Sequence, residues 1–103
     1  MIDDIAIELQ AKDVSANRLR AWRIEAGPDL FGVWVTTVRF GRIGMADRAL
    51  GYQFASEAEV RSFVGARLRR RGTAKRRIGV AYRVIAASPD AEALLQVTGL
   101  GEP

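Results

Sequence analysis

The sequence contains neither cysteine nor histidine among its 103 residues. Without cysteine the chain can form no disulfide and no thiolate metal site, and nothing in it requires an oxidising compartment. Without histidine it lacks the base of a Ser-His-Asp triad and the usual zinc ligand sets. Because these absences exclude most small hydrolases, we expect a non-catalytic protein that holds no metal and no cofactor.

Long apolar runs are missing as well, since no stretch of the sequence approaches the roughly 20 residues that a membrane-spanning helix needs. The amino terminus carries Asp3, Asp4 and Glu8 where a secretory signal has a basic flank and an apolar run. We therefore expect no membrane partner and a cytoplasmic location. Asp3 and Asp4 are a conceivable catalytic carboxylate pair, which we reject because a chain terminus offers no pocket to tune their pKa values.

Length and composition predict one globular domain. A chain of 103 residues with 49% hydrophobic and 27% charged residues can build a single core. We expect this domain to span residues 1–86, followed by a tail over 87–103. In the tail, Pro89–Leu95 is predicted to form a short helix and Gly99–Pro103 to fray.

Positive charge is concentrated in one part of the sequence. Residues 60–89 contain nine Lys or Arg and no Asp or Glu, whereas residues 1–59 contain seven basic and nine acidic residues. Clustered cations favour a polyanionic partner because they displace condensed counterions from phosphates. The alternative is a solvated arginine-rich helix, whose Arg69, Arg70 and Arg71 would complement the helix dipole.

Residue alternation predicts several strands. Apolar and polar residues alternate from Ile5 to Ala11 and again from Arg18 to Glu25, where the turn signal Gly27-Pro28-Asp29 follows. Gly32–Phe40 is rich in β-branched and aromatic residues, and a fourth strand includes Leu50, Tyr52 and Phe54 on one face. Both tryptophans, Trp22 and Trp34, lie within these strands and are expected in the core.

A helix is predicted from Glu57 to Arg71, because Ser56 and Glu59 form a capping box at its start. The apolar stripe of this helix consists of Val60, Phe63, Val64 and Leu68. A closing strand is expected around Val80–Val84. The predicted fold class is therefore α+β, with an antiparallel sheet of four to five strands and one helix packed across it.

Two glycines, Gly41 and Gly44, bracket Arg42 just after the third strand. The segment lacks the lysine and the following helix of a phosphate-binding P-loop, so we expect no small-molecule substrate. Arg42 has little neighbouring bulk to shield it, and its guanidinium can offer several donors to a phosphate. The alternative role for Arg42 is a structural hydrogen bond that ties this turn to the helix.

The segment DLFGVWVTTVRFGRIG, Asp29 to Gly44, closely resembles the signature of WGR domains, named for a Trp-Gly-Arg tripeptide at a strand end. The weaker resemblance of the flanking segments extends over about residues 5–85. It implies an antiparallel sheet with one helix, and a chain like the stand-alone WGR proteins of bacteria. In poly(ADP-ribose) polymerases this domain contacts DNA near a strand end, so the resemblance favours DNA as the partner, with RNA as the alternative.

The tripeptide reads Phe40, Gly41 and Arg42 in this sequence, so a phenyl ring replaces the indole. That ring can stack on a sugar or base, although a core position is the alternative. The family's eukaryotic members have a lysine in the following loop, where Arg48 is the nearest cation here.

The remaining candidate site residues are Lys75, Arg76 and Arg77, which we expect in a loop after the helix and on the same surface as Arg42. Arg67 and Arg71 are weaker candidates, because their stems can instead lie along the sheet. The leading hypothesis is thus a nucleic acid-binding accessory module. The alternative hypothesis is a module that docks on a partner protein.

Overall fold

The computed structural model describes residues 4–98. Within this range the elements are β1 (Ile5–Asp13), β2 (Arg18–Pro28), β3 (Trp34–Arg42), β4 (Arg48–Phe54), α1 (Glu57–Gly72), α2 (Ala74–Ile78), β5 (Arg83–Ala87) and α3 (Pro89–Thr98). The strands form one sheet in the order β4-β3-β2-β1-β5, and every neighbouring pair is antiparallel. The predicted α+β fold with a sheet of four to five antiparallel strands is confirmed.

One face of the sheet builds the core. In β1 the buried side chains are Ile5, Ile7, Leu9 and Ala11, and in β2 they are Trp22, Ile24 and Ala26. Strand side chains alternate between the two faces, so these positions all face the helices. Trp34 on β3 is also buried, which confirms that both tryptophans belong to the core.

Helix α1 lies across this face and begins after Ser56 as predicted, but the Glu59 carboxylate binds the amide of Ala55 and not that of Ser56. The Glu59 amide donates to Ser56 Oγ over 3.3 Å, while the Glu59 carboxylate accepts from the Ala55 amide over 2.9 Å. The fully buried stripe of α1 consists of Val60, Val64 and Leu68. Burying each of these side chains contributes about 1.5–3 kcal/mol.

Phe63, the remaining member of the predicted stripe, is only half-buried. Its ring packs beside the sheet edge against Tyr52 and Phe54 of β4, with ring centroids 4.7 and 5.0 Å apart. It therefore lies at the margin of the α1 contact rather than at its centre.

The chain between α1 and β5 differs from the prediction. Residues 74–78 form the short helix α2 rather than a loop, and α2 ends at Gly79, whose φ of 83° reverses the chain. The residues between Gly79 and Arg83 belong to this chain reversal and not to the sheet. β5 therefore begins at Arg83, and the predicted strand start near Val80 is wrong.

Helix α3 packs against β1 and α1, and its residues Ala91 and Leu95 are buried in the main core cluster. The short helix predicted over Pro89–Leu95 is confirmed and extends to Thr98. Ser88 fixes its start, because the Ser88 hydroxyl accepts from the Ala6 amide and donates to the Asp4 carbonyl. The fraying predicted for Gly99–Pro103 concerns residues outside the described range.

Candidate functional site: an arginine-lined cleft

The helix-bearing face of the sheet continues beyond the end of α1 and leaves an open cleft there. The cleft has a volume of about 550 Å³. It is lined by Ala16, Asn17, Arg18, Leu19, Arg20, Ala21, Trp22, Phe40, Gly41, Arg42, Arg71 and Tyr82. Four of these residues are arginines and none is acidic.

Strand periodicity explains why arginines line this cleft. On β2, Arg20 and Arg18 occupy the same alternating positions as the buried Trp22, so they point toward the helix side of the sheet. On β3, Arg42 follows Phe40 in the same way. At the cleft end of β2 and β3 these inward positions lie beyond the core and carry cations instead of apolar side chains.

Arg20 and Arg42 are directly opposite each other in the register of β2 and β3. Like charges in this arrangement repel, because the Cβ atoms of opposed residues are about 4.5–5.5 Å apart. Neither arginine forms an ion pair with any residue in the range 4–98.

The opposite face of the same two strands contains a second arginine pair, Arg23 and Arg39, in direct register. There Arg23 pairs with Glu25 over 3.3 Å and Arg39 with Asp47 over 3.8 Å. Among the described residues, carboxylates thus compensate one cross-strand arginine pair and not the pair in the cleft.

Asp13 at the end of β1 lies opposite Arg18 of β2, at the rim of the cleft. Its Oδ1 accepts from the Ser15 hydroxyl over 2.7 Å and from the Ala16 amide over 3.3 Å. These hydrogen bonds, the Ser15 contact above all, hold the pKa of Asp13 below its ordinary value. The carboxylate is therefore engaged in the β1–β2 turn.

The exposed guanidinium of Arg42 donates to Asn17 Oδ1 over 2.7 Å. Asn17 has a left-handed backbone, with φ of 55°, in the turn between β1 and β2. This bond ties Arg42 to that turn and not to the helix, so the predicted alternative partner is wrong. Because a guanidinium has five N–H donors, Arg42 retains donors that can face the cleft.

Arg71 forms the helical wall of the cleft, and its guanidinium carbon lies 4.8 Å from the ring centroid of Trp22. Partial burial lowers the pKa of Arg71, and the nearby charges of Arg67, Arg70 and Arg77 act in the same direction. The group stays protonated, since arginine does not lose its proton in proteins. A cation held here against like charges is stabilised further by any anion in the cleft.

The floor of the cleft is aromatic and carries one unused donor. Trp22 is 1% exposed, and its Nε1 has no hydrogen-bond acceptor in the described part of the chain. Phe40 is partly buried against the core and also lines the cleft.

Gly41 lies at a close approach of two backbone segments. A Cβ at this position would lie 3.2 Å from Asp47 Cα, in the connection that leads from β3 to β4. A larger residue at position 41 therefore fits only if that connection moves by a few tenths of an ångström.

The structure brings Phe40, Gly41 and Arg42 together in the cleft, and the other predicted site residues lie outside its lining. Arg48 is in register with Phe40 on the neighbouring strand β4 and shares its face. Lys75, Arg76 and Arg77 are in α2, and a Cβ on Gly79, which ends this helix, would lie 4.0 Å from Arg18 Nε. Lys75, Arg76 and Arg77 therefore lie past the end of α1, on the side of the cleft rim that contains Arg18.

Arg77 has a structural role in addition. Its Nη2 donates to the Arg70 carbonyl over 2.6 Å and its Nε to Thr73 Oγ1 over 3.0 Å. These bonds satisfy a carbonyl at the end of α1, which leaves Lys75 and Arg76 as the more available cations of α2.

The sequence-based prediction missed Arg18, Arg20 and Tyr82 and gave little weight to Arg71. The signal for the first two was present, since both share the alternation of Trp22 and Ile24. The guanidinium carbons of Arg67 and Arg71 lie over the rings of Phe63 and Trp22, at 4.7 and 4.8 Å from the ring centroids.

A scan against protein-family models, a search of curated proteins and a search of solved structures each found no match to this chain. Residues 4–98 contain no group of three or more acidic, histidine or cysteine side chains placed to hold a metal ion. No helix in this range is long and apolar enough to cross a membrane.

Proposed function

We propose that this protein binds nucleic acid, DNA in preference to RNA, through the arginine-lined cleft and that it acts as a non-catalytic accessory module of the WGR type. The observation that carries the proposal is the Arg20–Arg42 pair, which has no carboxylate partner within residues 4–98, whereas Arg23 and Arg39 each have one. Two opposed like charges without a counter-charge lower the free energy of unfolding. An anion bound in the cleft offsets this repulsion.

The chemistry of the cleft suits a phosphodiester backbone. Arginine binds phosphate oxygens through a planar set of donors, and the cleft presents four arginines on three elements. The partly exposed rings of Phe40 and Tyr82 add aromatic surface for a base or sugar at an exposed strand end. The positive surface continues to Arg48 and α2, which favours a polymer over a single small anion.

The resemblance of Asp29–Gly44 to the WGR signature supports the same function, since its tripeptide counterpart lies in the cleft. The preference for DNA rests on this resemblance. Because phosphate contacts fix position without identifying bases, we expect little sequence preference.

A fluorescence-anisotropy titration tests the proposal with labelled blunt duplex, nicked duplex, single-stranded DNA and RNA. If all four cleft arginines contact phosphates, the affinity for duplex DNA should fall on the order of a hundredfold between about 50 and 200 mM salt. Arg42→Gln should weaken binding and flatten the salt slope by about 0.9.

Arg23→Gln is the matched control, because it removes an arginine from the same strand on the opposite face. It should leave affinity and salt slope unchanged. If wild-type protein binds none of the four probes at low salt, or binds them with no salt dependence, the proposal is wrong.

A second candidate function, docking on a partner protein, is favoured by the turn between β2 and β3. Leu30 and Phe31 are 98% and 89% exposed at its tip. Side chain-to-backbone hydrogen bonds stabilise the turn, because Asp29 Oδ1 accepts from the amides of Phe31 and Val33 over 2.8 and 3.0 Å. Two large apolar side chains held in water on a fixed turn are suited to an apolar pocket on another protein.

Co-purification from the native host distinguishes the two functions. Docking requires a complex that resists salt, is lost in the double variant Leu30→Ser/Phe31→Ser and persists in Arg42→Gln. A complex that is lost in Arg42→Gln, or that salt disrupts, contradicts docking through this turn.

A further inference from the structure

The two edges of the sheet differ in how well they are protected against pairing with another strand. The β5 edge is five residues long, begins with Arg83 and is interrupted by a register shift at Glu8/Leu9 of its neighbour β1. Short length, charge and irregularity all discourage edge pairing. The centre of the β4 edge has neither a charged residue nor a register shift.

Strand β4 spans seven residues, Arg48–Phe54, and pairs with β3 in an unbroken register. It contains no proline, and its single charged residue is Arg48, at the very start. No strand within residues 4–98 pairs with its outer edge. Leu50, in the middle of the strand, is 47% exposed on the helix side.

We propose that two copies of this chain associate through antiparallel pairing of their β4 strands, with Gly51 opposite Gly51 of the second copy. The two five-stranded sheets then form one continuous sheet around a two-fold axis. This inference goes beyond nucleic acid binding and does not depend on it.

The register follows from the sequence of β4, because centring on Gly51 is the arrangement that pairs all seven residues. It places Leu50 opposite Tyr52 of the second copy and covers the exposed Leu50 side chain with an aromatic ring. It also places Arg48 opposite Phe54, so that no like charges oppose each other along the strand.

Gly51 lies at the centre of this outer edge. A Cβ built on it would project from the sheet face away from the helices and meets no heavy atom within 4 Å. The same space means that a larger residue at position 51 fits the monomer, which makes this position suitable for testing the dimer without disturbing the fold.

Sedimentation equilibrium of the full chain without nucleic acid provides the test. Wild-type protein should approach twice the 11.3 kDa mass of one chain. Gly51→Lys should weaken association about fivefold or more, since it opposes two like charges across the pair. Gly51→Glu should do the same, and an equal mixture of the two variants should associate at least as well as wild type.

Ala86→Lys is the matched control, because it adds the same charge to the exposed β5 edge and should leave the dimer intact. Circular dichroism must show all variants folded. A wild-type mass of one chain at the highest attainable concentration overturns the proposal, and so does a dimer that is unchanged in Gly51→Lys.

Cross-linking tests the register separately, since the natural chain has no cysteine. Opposed residues have Cα atoms about 4.5–5.5 Å apart, within disulfide range, so Gly51→Cys should cross-link on mild oxidation. Ala49→Cys should not, because two copies of residue 49 lie roughly 14 Å apart in this register. Cross-linking of Ala49→Cys in preference to Gly51→Cys overturns the proposed pairing.

Discussion

Replacing Arg20 with Gln should raise the stability of the free protein while weakening its binding to nucleic acid. Arg20 opposes Arg42 in direct register, and neither has a carboxylate partner in the described range. For two exposed guanidinium groups roughly 7 Å apart in a water-like dielectric, the repulsion is about 0.6 kcal/mol. Screening at physiological ionic strength, with a Debye length of about 8 Å, reduces this to roughly half.

Removing that repulsion should raise the melting temperature by roughly 2–5 °C at low salt, given about 4–8 °C per kcal/mol for a domain of this size. The gain should disappear in about 1 M salt, where the Debye length is about 3 Å. In the anisotropy titration the same variant should lose about 0.9 from the salt slope, which corresponds to one phosphate contact.

Differential scanning calorimetry at two salt concentrations checks the stability change, and Arg23→Gln is again the control. That variant relieves the repulsion with Arg39 but also loses the Glu25 ion pair, so its melting temperature should stay nearly constant. A destabilised Arg20→Gln, or one that binds DNA with the wild-type salt slope, would refute the role assigned to the cleft pair.

Three further substitutions test other parts of the structure. Phe40→Ala should weaken binding to duplex ends and nicks more than to intact duplex in anisotropy titrations, because stacking on one base contributes about 1–3 kcal/mol. Equal weakening on all probes would contradict stacking. Leu68→Ala should lower the free energy of unfolding in urea by about 2–5 kcal/mol, because Leu68 is fully buried between α1 and the sheet. Thr36→Val should raise it by roughly 1 kcal/mol, since Thr36 Oγ1 is buried without a hydrogen-bond partner in the described chain; a destabilised Thr36→Val would point to an acceptor for that hydroxyl.

The elements that sequence reasoning predicted well are those whose signals are local. The alternation of apolar and polar residues from Ile5 to Ala11 predicts which side chains of β1 face the core. The two-residue repeat of a strand can be recognised without knowing which strands lie beside it. The start of α1 could be predicted for a similar reason. A capping box satisfies amide groups within one turn, and Ser56 and Glu59 lie within that turn.

The predictions that failed concern the short connection between α1 and β5. The Ala74–Ile78 segment is short and highly basic, and it forms a helix where Thr73 and Arg77 close the end of α1. Short helices gain most of their stability from packing rather than propensity, so the sequence alone gave no reason to prefer a helix to a loop. Because β5 follows this helix, the predicted start of β5 was wrong as well.

The sequence by itself determined the five-stranded α+β fold in outline, the segregation of charge and the inward alternation of Arg18, Arg20 and Trp22 on one strand. Only the tertiary structure decided that Arg20 meets Arg42 and that Arg71 covers Trp22. The register of β2 on β3 and the length of α1 relative to the sheet set these contacts. Neither is encoded by a local pattern, because both depend on how segments distant in sequence pack against one shared core.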